Sequence, residues 1–165
     1  MSSLVKPSND QSWRRLADPA VVRKAALRTG AYRDPPVLPE EFAARLARKR
    51  FTNGKSDCEL VAGIYADTFA GALGGAAALE FRGCGWGDEE VARLAKALPF
   101  AREATWLYLE FNPRIGARGL DALAAALREG AAPKLSYLGM DQAHSAAAAG
   151  LRAACEARSI AFGTG

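Results

Sequence analysis

The chain predicts an α/β fold in which short parallel strands are backed by α-helices, behind an α-helical N-terminal cap. Three observations predict it. First, residues 78–98, "ALEFRGCGWGDEEVARLAKAL", open with apolar residues two apart and close with Val91, Leu94 and Leu98 at helical spacing. Second, residues 106–127, "WLYLEFNPRIGARGLDALAAAL", make the same switch of period. Leu107 and Leu109 fall where Leu79 and Phe81 stand, at an offset of 28 residues. Leu120, Leu123 and Leu127 fall where Val91, Leu94 and Leu98 stand, at an offset of 29. Third, a weaker copy follows at an offset of 31, with Leu138 and Met140 at the strand positions and Gly150 and Leu151 matching Gly119 and Leu120. Arg158 replaces the last leucine of this copy. Strands that alternate with helices in this way read as βα units feeding a parallel sheet.

Each element has its own local signature. Residues 1–38 form a basic, partly helical or loosely organised segment. Within it, Asp18 is placed as an N-cap, Pro19 at the first helical position and Gly30 near a helix end. "DPPVLP" then interrupts, because three prolines in so short a run resist helix and sheet alike. Residues 39–75 read as the helical cap. In "PEEFAARLARKRF", Pro39, Glu40 and Glu41 suit a first helical turn, and Arg48, Lys49 and Arg50 suit a last one. "TNGK" is a turn. "SDCELVAGIYADTFAGAL" carries Ser56 and Glu59 at capping-box spacing and an apolar stripe of Leu60, Val61, Ile64, Tyr65, Phe69 and Leu73, stopped by Gly74–Gly75. Residues 76–165 hold the repeated units. "SIAF" reads as a short final strand.

The units resemble leucine-rich repeats of ribonuclease-inhibitor type. "LYLEFN" in the second unit and "LEFRGC" in the first carry the L-x-L-x-x-N/C core, within units of about 28–29 residues. The resemblance covers about residues 57–162 and not the first 50. It implies a solenoid, because one strand–helix unit cannot bury its apolar face alone and must stack on its neighbours. It also implies that Asn112 bonds backbone groups of the turn and continues a ladder between units, with Cys84 as the accepted variant. Cys84 is then a structural buried thiol.

Such repeats usually bind through the concave face made by the outward strand residues. The register forms columns of Ala78, Trp106 and Tyr137, then Glu80, Tyr108 and Gly139, then Arg82, Glu110 and Asp141. Adjacent strands lie about 4.8 Å apart, so each column is a continuous strip. Trp106, Tyr108 and Tyr137 are expected to cluster beside Glu80, Arg82, Glu110 and Asp141, in residue types enriched in binding hot spots. The function expected is therefore non-enzymatic binding of another protein. Two alternatives stand beside it. One is a regulator resembling the activating proteins of small GTPases, with Arg82 or Arg114 as the contributing cation. The other is an anionic-surface or nucleic-acid binder using Arg45, Arg48, Lys49, Arg50 and Lys55. The basic character does sit at this end: residues 1–56 carry 12 Lys and Arg against 5 Asp and Glu, while residues 57–165 carry 10 against 13. A solvated helix face explains the run more simply, since no nucleic-acid motif accompanies it.

Other classes have little support. There is no apolar run of the length a spanning helix needs, and no hydrophobic leader core, so a cytoplasmic protein is expected. Cys58, Cys84 and Cys155 are far apart and odd in number, which gives no disulfide framework and no zinc motif. Neither a metal nor a cofactor is expected. His144 and Ser145 are adjacent in the weakest unit, which does not make a catalytic pair. "GCGWG" lacks the Lys-Ser/Thr of a phosphate-binding loop. Cys58, in the first turn of a helix, is at most a redox candidate.

Overall fold

The computed structural model describes residues 34–49, 55–141 and 147–164. The helix expected at Asp18–Gly30 and the residues around His144 lie outside these. From Asp34 an extended lead-in buries Pro35 and Leu38 and enters α1 (Pro39–Leu46). Then follow α2 (Lys55–Gly74), β1 (Ala78–Glu80), α3 (Asp88–Ala97) with a 3-10 turn at Leu98–Phe100, β2 (Trp106–Tyr108), α4 (Ala117–Arg128), β3 (Tyr137–Met140), α5 (Ala149–Ala157) and β4 (Ala161–Thr164).

The four strands form one parallel sheet in the order β1-β2-β3-β4. Its register aligns Leu79, Leu107, Leu138 and Phe162, and beside them Ala78, Trp106, Tyr137 and Ala161. Of the expected columns, those of Ala78, Trp106 and Tyr137 and of Glu80, Tyr108 and Gly139 are the observed ones. Leu79, Leu107 and Leu138 point into the core, where they meet Val91 and Leu94 of α3, Leu120, Leu123 and Leu127 of α4, and Leu151 and Cys155 of α5. Alternation does the rest: each strand buries one set of side chains under the helices and leaves the other set on an open face.

Adjacent units are locked by contacts the strand pattern does not contain. Asp88, at the start of α3, accepts hydrogen bonds on Oδ1 from the backbone N–H groups of Gly116 (2.6 Å) and Gly119 (2.9 Å). It thus supplies the cap that α4 lacks locally. A β-carbon on Gly119 would stand 2.9 Å from that oxygen and 3.1 Å from the Asp88 Cα, so glycine sets how closely α3 and α4 approach. At the other end of α4, Arg158 donates to the carbonyls of Leu127 (3.0 Å), Ala131 (2.6 Å) and Ala132 (2.8 Å). The arginine that breaks the leucine pattern is a C-terminal plug for the preceding unit's helix, where the dipole favours a cation.

Two expectations about the cap are corrected. The first cap helix ends at Leu46, so Arg45 is the basic residue of its last turn and Arg48 and Lys49 lie in the turn beyond. Phe42, stacked 3.9 Å from Tyr65, holds α1 to α2, and no residue from 47 to 49 offers an apolar anchor to prolong it. In α2 the apolar stripe is only half used. Phe69 and Leu73 are buried and Tyr65 partly so, but Leu60, Val61 and Ile64 are exposed. Only the C-terminal half of α2 reaches the core, through the edge contact of Phe69 with Phe100 at 5.2 Å.

Candidate functional site

Strand alternation places Ala78, Trp106, Tyr137 and Ala161 in one row of the open face and Glu80, Tyr108, Gly139 and Gly163 in the next. Trp106 heads β2 and remains 45% exposed. Tyr108 and Tyr137 are half-buried, with ring centroids 5.5 Å apart. The small residues of β3 and β4 make this possible. A β-carbon on Gly163 would collide with the Tyr137 ring, so that ring leans over the last strand.

Arg82 comes from the end of the first strand segment and lies across the row. Its guanidinium carbon sits 3.6 Å from the Tyr108 ring centroid. Its Nη1 donates to Glu80 Oε2 at 2.8 Å and its Nε to Glu110 Oε2 at 3.0 Å. Burial works against the Arg82 charge, but the hydrogen bond and charge of Glu110 and the charge of Glu80 outweigh it, and its pKa lies above the ordinary arginine value. Glu80 stays partly exposed beside it.

Two expected surface residues of this strip have other work. Glu110 is only 7% exposed: its carboxylate is covered by Arg82 and lies over Gly139, where a β-carbon would come within 2.8 Å of its Cδ. A carboxylate can be buried there because a counter-ion and hydrogen bonds come with it. Asp141 turns to the backbone of the preceding unit, accepting from Phe111 N on Oδ1 (2.9 Å) and Asn112 N on Oδ2 (3.3 Å).

Asn112 is fully buried. Its Oδ1 accepts from Trp86 N at 3.0 Å, and its Nδ2 donates to Phe81 O at 2.8 Å and Leu109 O at 2.9 Å. Cys84, also buried, points its thiol at Arg82 O (3.7 Å), two residues back, as Asn112 Nδ2 points at Glu110 O (3.3 Å). Trp86 is buried against Phe81, with centroids 4.5 Å apart.

The other candidates are scattered. Arg45, Arg48 and Lys49 are exposed at the end of α1, while Arg50 and the side chain of Lys55 lie outside the described residues. Arg114 is exposed and donates to Gly85 O. Cys58 is partly buried in the first turn of α2. Among the described residues no three His, Cys, Asp or Glu gather as a metal site, and no helix is long and apolar enough to cross a membrane.

Sequence reading missed Phe111. It is 70% exposed, with a backbone φ of 61°. The signal was present: it occupies the place of Gly83 in the preceding unit, 28 residues earlier, where φ is 63°.

No protein-family model, no curated protein and no solved structure matches this chain.

Proposed function

We propose that the chain is a non-enzymatic protein-interaction module, a short leucine-rich-repeat stack of ribonuclease-inhibitor type that binds another protein through the open face of its sheet. One observation carries the reading. Trp106 stands 45% exposed at the head of a row of aromatic rings, on a face that no helix among the described residues covers. Exposed tryptophan beside tyrosine and arginine is the composition of a binding hot spot. The tyrosines and Arg82 are held by one another, so little side-chain freedom is lost on binding.

The repeat assignment is supported by the sequential parallel strand order, the in-register apolar rows and the Asn112 ladder. Buried free thiols at Cys84 and Cys155 favour a reducing compartment. Arg82 and Arg114, the cations the GTPase-regulator alternative would use, are both engaged within the chain.

The test is a pull-down with Trp106, Tyr108 and Tyr137 replaced by alanine, singly and together. The expected outcome is loss of one defined set of partners in the triple variant, with W106A alone accounting for most of it. Full retention of every partner removes the open-face reading.

A further inference from the structure

We infer that Phe111 is a second anchor of the same interface, kept at a conformational cost, and that the partner meets it with an apolar pocket bordered by basic groups. This rests on the open-face reading and extends it from Trp106 to the loop end of β2.

A φ of 61° lies in the left-handed region, which bulky L-residues seldom occupy. The turn imposes it, not the side chain: the preceding unit repeats the geometry at Gly83, with φ 63°. Asp141 Oδ1, accepting from Phe111 N at 2.9 Å, braces the residue there. Glycine would suit this position, as Gly83 does. The phenylalanine returns nothing to the core for its strain, because it is the most exposed large apolar residue described, at 70%. A strained backbone under an exposed aromatic ring is the pattern of a residue held for contact.

Position and charge define the occupant. Phe111 lies five residues beyond Trp106, up to about 16 Å along the strand, which is well within one side of a standard protein interface. Between them lie Tyr108, Arg82 and the carboxylates of Glu80 and Glu110, with Asp141 beside the turn. Three carboxylates, of which Glu110 is buried under Arg82, against the guanidiniums of Arg82 and, at the turn itself, Arg114 leave the face net negative by one. That opposes an anionic bilayer and suits a protein surface whose rim is basic.

The experiment begins with the full chain carrying p-benzoylphenylalanine at position 111, at 106, or at 60 on α2, irradiated in cell extract. The expected result is one protein captured from both 111 and 106 and not from 60. That protein is then purified and titrated calorimetrically against F111G, F111L and W106A, beside urea unfolding of each variant. F111G is expected to weaken binding by about tenfold or more while its urea midpoint equals or exceeds that of the unsubstituted chain. F111L is expected to retain part of the affinity. Unchanged affinity in F111G with a large loss in W106A overturns the inference and leaves the open-face reading standing. Loss at neither position overturns both. A lowered midpoint in F111G shows a structural role and overturns the inference. So does capture of a second copy of the chain, or ring-dependent sedimentation with phosphatidylserine vesicles.

Discussion

Replacing Asn112 by alanine tests whether the units are joined by its side chain or merely by apolar packing. The carboxamide is fully buried and satisfies Trp86 N, Phe81 O and Leu109 O at 2.8–3.0 Å. In the N112A variant one buried N–H and two buried carbonyls lose these partners. Each unsatisfied group costs about 1–3 kcal/mol, and the carbonyls lie at the low end because they keep a second lone pair. The expected loss is about 3–4 kcal/mol, a large fraction of the total stability of a domain. With a urea m-value of about 2 kcal/mol/M, the midpoint should fall by about 1.5–2 M at constant m. N112D separates hydrogen bonding from volume. Its carboxylate still accepts from Trp86 N but faces two carbonyl oxygens to which it cannot donate, so its loss should match that of alanine. N112C should lose less, about 2 kcal/mol, because a thiol two residues after a carbonyl is the arrangement of Cys84 with Arg82 O. A midpoint shift below about 0.5 M for N112A, or an N112D variant as stable as the starting chain, refutes the ladder.

Arg158 should resist replacement by the leucine that the repeat pattern asks for. R158L exposes the carbonyls of Leu127, Ala131 and Ala132 and should cost about 1–2 kcal/mol in urea unfolding, whereas a leucine at least as stable would show the plug to be idle. Cys155 is buried, and burial pushes its thiol up to about 11. The unfolded thiol ionises near 8.5, so its contribution to stability is whole below about pH 8.5 and declines as pH rises toward 11. Stability measured over that window should fall less steeply in C155A, and native Cys155 should resist a maleimide at pH 8; rapid labelling there would contradict its burial. Finally, G139A drives a β-carbon into the Glu110 carboxylate and should destabilise by about 1–3 kcal/mol. The variant G139A/E110A should recover part of that loss, and equal effects of G139A with and without Glu110 would exclude the clash.

Residue pattern alone set the order of the described elements, the sharing of one face by Leu79, Leu107 and Leu138, and the alignment of Trp106 with Tyr137. Strand alternation and helical period state which side of an element is apolar, and a near-constant unit length states which residues stand abreast. The aromatic row was legible for that reason. The same periodicity placed Glu110 on the surface, and there it misled. Glu110 is buried because Arg82 arrives from the neighbouring strand, and Asp141 is drawn to backbone N–H groups about 30 residues earlier in the chain. The stripe on α2 showed amphipathicity but not how far the helix reaches over the core, so Leu60, Val61 and Ile64 proved exposed. Arg158 read as decay of the pattern until the carbonyls 26 to 31 residues before it came within reach. Tertiary structure also decided the sign of φ at Phe111, which no hydrophobic period encodes. Local pattern records how each unit faces its own core; pairings between units depend on distances that only stacking creates.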